Sequence, residues 1–560
     1  MNIKTKNIGT KFMKIIFYLV IFWFLIGYVL YPAVNTLITS LSNNGVFTLD
    51  YYKEFFTSNT NITALKNTLV LGFATVLVCG IIGTFLAFYV NFFDFPFRKT
   101  IHRILLTPIM LPGIIIVIAF IQLYGESGLV TKTIELLLNL DTIPYKFSGF
   151  KGILFVHAYT QYVYFYMNTS VAIKYLDYSL IESARNLGAS KTKIFFTIIL
   201  PMISPALIAS SIITFMSGIS SFSAPNLLGD TYRVMSTQIL LSKANKHMEM
   251  AAVQVMILLL VSITFLLLLR YYENHNKFST SVKGTPFKPV KIKNRIVRLI
   301  FTIICLSSII MIILPILTIV LLSFVKPGTW MIEIFPKEFS LDNYVKIFTK
   351  KRTFLPFKNS IHMSIMASLF GLVIAVPCSY IIVKTNNKSK IAIEILSMLP
   401  WAMPASTIAI NLINTFNKPN IFAFQNVLIG GYMILPLAYS ISLFPLIVRS
   451  TNVALSSLSD NLEEASRSLG ATWWHTFMHV TIPIITPGIL SGTILGFIRS
   501  IGEYGISAFL YGVSNKPISI AMVNALYDFD IGLSMAYGVL VVILSSILTM
   551  IIMKIEDSNF

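Results

Sequence analysis

Apolar runs of about twenty residues or more, each long enough to cross a bilayer, recur along the whole chain and limit what it can fold into. With 55% hydrophobic residues, 12% charged residues and a mean hydropathy of +0.77, the chain lacks the polar surface of a soluble globule. The expected fold is all-α and integral to the membrane, with about twelve spans at 15–37, 64–90, 104–123, 152–173, 202–222, 250–270, 299–324, 360–383, 391–415, 427–448, 484–510 and 532–553. The first run follows Lys4, Lys6, Lys11 and Lys14, as a signal peptide would. It is longer than the roughly 7–15 residues of a signal core and shows no small-residue cleavage site, so it reads as a span.

A formal charge of +20 could suggest nucleic acid, but the Lys and Arg residues lie mostly between apolar runs. That placement fits loops facing anionic lipid and the cytoplasm. Arg98, Lys99, Arg103, Lys174, Arg185, Lys191, Lys193, the run Arg270 to Arg298, and Lys384, Lys388 and Lys390 fall on one side if both termini are cytoplasmic. The Lys-rich loop from Lys326 to Lys358 falls on the other side, partly offset by Glu333, Glu338 and Asp342. Cys79, Cys305 and Cys378 sit in apolar segments without CxxC spacing and read as buried, inert thiols.

One polar stretch occurs twice. Leu180 to Pro205 and Leu462 to Pro487 align at a constant offset of 282, which pairs Glu182 with Glu464, Gly188 with Gly470, Pro201 with Pro483 and Pro205 with Pro487. Upstream, Lys66-Asn67-Thr68 matches Lys358-Asn359-Ser360, and Pro108 and Pro112 match Pro400 and Pro404, at an offset of 292. The second copy is therefore ten residues shorter, most economically in the loop that Gly125 to Gly149 represents in the first. A Pro- and Lys-rich connection separates the copies. The expected organisation is an N-terminal span and external loop (1–62), a first repeat (63–271), a cytoplasmic linker (272–298), a further span and external loop (299–357) and a second repeat (358–554). A pathway is expected between the repeats.

Within the duplicated stretch, 177–201 and 459–483, the composition predicts a short helix with Ser179 or Asp460 as cap. Gly188 or Gly470 reverses the chain, and a second short helix then lies across the mouth of a span. Pro201 and Pro483 suit the first turn of that span, where a missing N–H costs little. A docking surface for a soluble partner explains a polar, duplicated element in this setting.

The residues Glu182-Ser183-Ala184, Gly188, Ile198, Leu200 and Pro201 resemble the EAA loop of permease subunits of binding-protein-dependent ABC importers, a MetI-like family. Glu464-Ala465-Ser466, Gly470, Val480, Ile482 and Pro483 repeat the pattern with conservative departures. The resemblance implies a bacterial cytoplasmic-membrane permease whose loops dock two ATPase subunits, supplied with substrate by a separate extracytoplasmic binding protein. It implies polar contacts from Glu182, Arg185, Glu464 and Arg467, packing by Ala184, Leu187, Ala465 and Leu469, and rigid-body switching of the pathway on ATPase closure. No GxxxxGK[ST] loop occurs, so ATP hydrolysis falls to a partner and no cofactor of its own is expected. The fused double permease resembles ferric iron, thiamine and 2-aminoethylphosphonate importers. Ser221 to Gly229 resembles the iron and phosphonate branch, whereas Gly502-Glu503-Tyr504-Gly505 resembles sulfate and molybdate permeases.

Ionisable residues within spans are expensive in lipid and mark candidate pathway positions. Arg499 and Glu503, four apart, could pair on one helical face; their first-repeat counterparts are Ser217 and Ser221. His157 is expected to be a hydrogen-bonded packing residue, and no cluster has metal-ligand spacing. A secondary transporter would need carboxylates or cations deep in several spans, and a membrane enzyme would need a converging nucleophile and base; support for either is thin.

Overall fold

The computed structural model describes residues 16–43, 45–95, 97–143, 145–275, 289–291, 294–330, 335–385 and 389–557. Lys4, Lys6, Lys11, Lys14, Glu333, Lys388 and most of the 272–298 linker lie outside those residues.

In the first half the helices are α1 (Ile16–Ser40), α2 (Asp50–Thr57), α3 (Asn59–Phe92), α4 (Arg98–Leu106), α5 (Gly113–Tyr124), α6 (Leu129–Leu137), α7 (Gly149–Lys174), α8 (Tyr178–Asn186), α9 (Lys191–Ile219), α10 (Ser223–Leu228), α11 (Met235–Ala244) and α12 (Met248–His275). The second half contains α13 (Arg295–Ser323), α14 (Asp342–Thr349), α15 (Lys351–Lys384), α16 (Ser389–Ala402), α17 (Ala405–Phe416), α18 (Ile434–Ser457), α19 (Asp460–Ser468), α20 (Trp473–Ile501), α21 (Ser507–Leu510), α22 (Ile518–Tyr527) and α23 (Ile531–Asp557). The duplication extends to element lengths: α3 and α15 are both 34 residues, α5 and α17 both 12, α8 and α19 both 9, and α11 and α22 both 10. The loop between α5 and α7 carries the extra helix α6; the loop between α17 and α18 has only a short 3-10 turn, Ile421–Ala423.

Among the described residues, ten helices are long and apolar enough to span a membrane, or eleven if α16 and α17 form one span bent by 111°. Of the twelve expected runs, 391–415 and 152–173 are the two that do not appear as single qualifying spans, and 104–123 is displaced. Pro404 stands at the N-cap of α17 and breaks the apolar run 391–415. Pro112 stands likewise at the head of α5, where the span Gly113–Leu137 begins, so the expected span 104–123 starts too early. The expected span 152–173 lies in α7, which is 26 residues long but too polar to qualify. Its His157, Gln161, Thr169 and Ser170 are buried against neighbouring helices, so composition understates how well it is shielded.

The first helix of each half crosses to the other. Tyr28 on α1 donates to the Phe422 carbonyl at 2.6 Å, and Asn35 donates to the Asn414 carbonyl at 3.0 Å. Conversely Tyr159 on α7 donates to the Ile312 carbonyl of α13 at 2.9 Å, and Phe301 stacks on Phe85 and Tyr89. These exchanged contacts leave α3, α7 and α9 packed together in one repeat and α15, α18 and α20 in the other.

The repeated Lys-Asn-Thr/Ser triplet acquires a structural role. Thr68 accepts the backbone N–H of Met235 at 2.8 Å, and Ser360 accepts that of Ile518 at 2.7 Å. Asn67 donates to the Arg233 carbonyl at 2.9 Å and Asn359 to the Lys516 carbonyl at 3.1 Å. In both halves the long helix thus caps the first N–H of α11 or α22, which has no partner inside its own helix.

Candidate functional site

The duplicated stretch is built twice from matching parts. Asp177 caps α8 by accepting the Ser179 N–H at 3.0 Å, so Ser179 is not the cap that composition suggested. In the second copy Ser459 is the N-cap residue without a side-chain bond, and Asp460 sits in the first turn. Asp460 is bound at 2.6 Å by Lys384, whose ammonium holds that carboxyl below the ordinary carboxylate range. Both helices close in the same way. Gly188 and Gly470 adopt φ of +79° and +84°. The Ala189 N–H reaches back to the Ala184 carbonyl at 3.0 Å, and that of Ala471 to the Ser466 carbonyl at 3.2 Å. This is a Schellman closure, which favours glycine because a left-handed residue with a Cβ is strained.

The following segment differs from the expected separate helix. Ser190 and Thr472 cap it by accepting the N–H groups of Lys193 and His475, at 3.2 and 3.3 Å. It then passes through a π turn, Phe195–Ile199 or Phe477–Thr481, directly into the membrane span. Pro201 and Pro483 enter the α-helical part just beyond, and the wider π turn absorbs the missing N–H.

Glu182, Arg185, Leu187 and Gly188 are exposed, as are Glu464, Ala465, Arg467, Leu469 and Gly470, while Ala184 is half-buried. Leu187 and Leu469, at matching positions beside the turns, are 88% and 90% exposed. An apolar side chain this open, kept in both copies, is a surface knob rather than part of the core.

Residues outside the repeated motif hold each element in place. Glu463, next to the motif glutamate, is buried and accepts from Thr481 at 2.7 Å. The counterparts in the first copy, Ile181 and Ile199, are both buried and apolar. Ser466 and Thr476 likewise share a hydrogen bond of 2.9 Å where the first copy has Ala184 and Ile194. A polar pair in one repeat therefore replaces an apolar pair in the other. Beneath the second loop is a cavity of about 770 Å3, lined by residues including Phe17, Tyr380, Lys384, Arg467 and Trp473. In the first repeat, Phe301 packs against Phe85, Tyr89 and Phe93 at the corresponding place.

The candidate pathway residues do not form one cluster. His157 is buried in the first repeat, with its Nδ1 2.9 Å from the Thr75 hydroxyl. Ser217 is half-buried near the end of α9, and the Ser221 carbonyl accepts from Ser236 at 2.7 Å. Helix α20 ends at Ile501, so Glu503 lies beyond it and no ion pair joins it to the exposed Arg499. Glu503 instead accepts the Ile506 N–H at 3.0 Å. The segment carrying Glu503 is wedged between the two broken helices. A Cβ on Gly502 would lie 2.3 Å from Pro112, and one on Gly505 would lie 2.8 Å from Ala405, so close approach requires both glycines. Asn226 donates to the Tyr504 hydroxyl at 2.7 Å, and Lys243 donates to the Phe509 carbonyl at 2.5 Å, joining the repeats. No carboxylate pairs with Lys243 among the described residues, and burial pushes its amine below the ordinary value. On α17, buried Ser406, Thr407 and Asn411 each leave an oxygen without a partner, where α5 has Ile114, Ile115 and Ala119.

Residues 79–277 and 367–559 each match the family described as binding-protein-dependent transport system inner membrane component. The chain belongs to that family. It is a fused, two-repeat, multi-pass ABC transporter permease. It is 30% identical over 529 residues, 93% of each chain, to the "Probable ABC transporter permease protein y4fN" of Sinorhizobium fredii. It is 24% identical over 547 residues to the ferric transport system permease protein FbpB of Actinobacillus pleuropneumoniae, covering 95% of this permease and 76% of that protein. The sulfate transport system permease protein CysT of Escherichia coli is 24% identical over 201 residues, covering 34% of this permease and 73% of that relative.

Proposed function

We propose that this permease forms the substrate pathway of an ATP-driven importer of ferric iron in the bacterial cytoplasmic membrane. Its two duplicated loops dock one cytoplasmic ATPase subunit each, and both termini face the cytoplasm with the loops. The paired exposed knobs Leu187 and Leu469, each set by a left-handed glycine, carry the docking assignment. Glu182, Arg185, Glu464 and Arg467 surround the knobs with charge, while Pro201 and Pro483 join each loop to its span. Because the π turn makes loop and span one continuous helix, ATPase closure moves α9 and α20 as rigid levers. Substrate arrives from a separate extracytoplasmic binding protein and passes between the repeats, beside Ser217, Ser221 and Glu503.

Iron is supported by 24% identity to a ferric permease over 95% of this permease and 76% of that relative. A second reading, transport of an oxyanion such as a phosphonate or sulfate, is favoured by Lys243, a half-buried cation without a carboxylate partner among the described residues at the repeat contact. Uptake of labelled ferric iron, sulfate, aminoethylphosphonate and thiamine by cells with and without the permease separates these. Loss of iron uptake alone supports the proposal; loss of anion uptake with iron unchanged replaces it with the second reading.

A further inference from the structure

The cavity of about 770 Å3 beneath the second loop has a lining that changes in character along one direction. On α15 the lining residues Pro377, Tyr380, Ile381 and Lys384 recur at i, i+3, i+4 and i+7 and so share one helix face, with Thr385 at the helix end beside them. That face runs from apolar within the span to cationic at its loop-side end. On the opposite wall Trp473 opens α20 and donates its indole N–H to the Tyr380 hydroxyl at 3.1 Å. Phe17 of α1 meets Trp473 edge-on, with ring centroids 6.2 Å apart. Arg467 adds a second cation from the loop itself. Because α15 ends at Lys384 and α20 begins at Trp473, the cavity lies where these spans leave the membrane. Trp, Tyr and long cationic side chains belong at that depth, beside lipid headgroups.

The first repeat fills the same place. At the offset of 292, Pro377, Tyr380, Ile381, Lys384 and Thr385 correspond to Phe85, Phe88, Tyr89, Phe92 and Phe93. Phe301 packs on Phe85, Tyr89 and Phe93, and Phe88 packs on Phe92 and Phe195. The second repeat exchanges rings for Pro, Lys and Thr and leaves a cleft, and apolar space left empty costs stability. A basic, apolar-walled pocket at the end of membrane helices suits an anionic lipid. We infer that this cavity binds an anionic phospholipid, with its phosphate at Lys384 and Arg467 and its chains over Phe17, Ile381 and Phe477. Lys384 gives two of its three N–H groups to the Leu458 carbonyl at 3.1 Å and to Asp460 at 2.6 Å, which leaves one for the phosphate. Arg467 lies 3.7 Å from Glu463, beyond hydrogen-bond length, and Glu463 itself accepts from Thr481. Neither Asp460 nor Glu463 lines the cavity, so its charged lining is cationic. The lipid bridges α1, α15 and the second loop. The site depends neither on the transported substrate nor on the docking assignment.

The test uses the full chain, purified in detergent and stripped of lipid. It is titrated with phosphatidylglycerol, phosphatidylcholine or soluble glycerol phosphate and followed by native mass spectrometry. The wild type should bind one phosphatidylglycerol about tenfold or more tighter than phosphatidylcholine, and Lys384→Gln and Arg467→Gln should each weaken that binding about fivefold. Glycerol phosphate, which lacks the chains, should not bind at the same concentrations. A variant carrying Pro377→Phe and Thr385→Phe copies the filling of the first repeat and should lose the lipid without a fall in melting temperature. If either Gln variant melts early, this filled variant decides. Equal affinity for the two lipids, or undiminished phosphatidylglycerol binding by the filled variant, would overturn the site. Glycerol phosphate bound as tightly as phosphatidylglycerol would overturn the lipid as its occupant.

Discussion

Replacing Gly188 and Gly470 together isolates the conformational demand of the two loops. A Cβ at either position meets no atom within 4 Å, so steric crowding contributes nothing to the cost. What remains is the backbone, held at φ of +79° and +84°. A left-handed residue with a Cβ costs about 1–2 kcal/mol, less for Asn and more for β-branched side chains. Each Gly→Ala change should therefore reduce the population of the closed turn by roughly 5- to 30-fold. If both loops must dock, the two losses multiply. The assay is ATP-driven uptake by proteoliposomes containing the permease and its ATPase, compared with the melting temperature of the permease alone. Activity should fall in the order Gly, Asn, Ala, Val at both positions, with little change in melting temperature because the turns lie outside the core. Asn is larger than Ala, so bulk at a docking surface predicts a different order. An Asn pair as inactive as the Val pair, or a Val pair as active as wild type, would refute the strain argument.

Glu463→Ile alone strands the Thr481 hydroxyl, and Thr481→Ile alone leaves the buried carboxyl with only Arg467, 3.7 Å away, each costing about 1–3 kcal/mol. The double change rebuilds the apolar pair of the first repeat, so thermal denaturation should show recovery of most of that loss. Thr68→Val and Ser360→Ala each remove a cap on α11 or α22 and should destabilise the permease by about 1 kcal/mol. The melts should show equivalent effects in the two repeats. The ferric proposal expects Lys243→Met to retain iron uptake with little change in melting temperature, since a half-buried cation is exchanged for an apolar side chain. Loss of uptake without loss of fold would move the assignment to an anion.

Membrane class, the two-fold repeat and the glycine stops were legible because each leaves a local mark: apolar length, a constant offset, a residue type that tolerates positive φ. The break at Pro112 and Pro404 was marked by matching prolines, yet hydropathy alone read continuous spans through both. Helix α7 was counted as a span from its length, while its His157 and Gln161 make it more polar than a lipid-facing helix. The crossing of α1 and α13 to opposite halves depends on contacts such as Tyr28 with Phe422, some 390 residues apart, and no local pattern encodes it. In the candidate site, the exposed motif residues were readable from spacing. Glu463 was overlooked because its value depends on Thr481, which reaches it only after the chain reverses at Gly470. Arg499 and Glu503 make no direct ion pair, since α20 stops at Ile501 and Gly502 beyond it lies tight against Pro112.

The most direct test of the account is recovery of the ATPase with the affinity-purified permease in detergent, wild type against Leu187→Asp, Leu469→Asp and the double variant. The account predicts two ATPase subunits per wild-type permease, one for either single variant under stringent washing and none for the double variant, with all four permeases equally folded. Undiminished recovery of the ATPase with the double variant would contradict docking through these two loops.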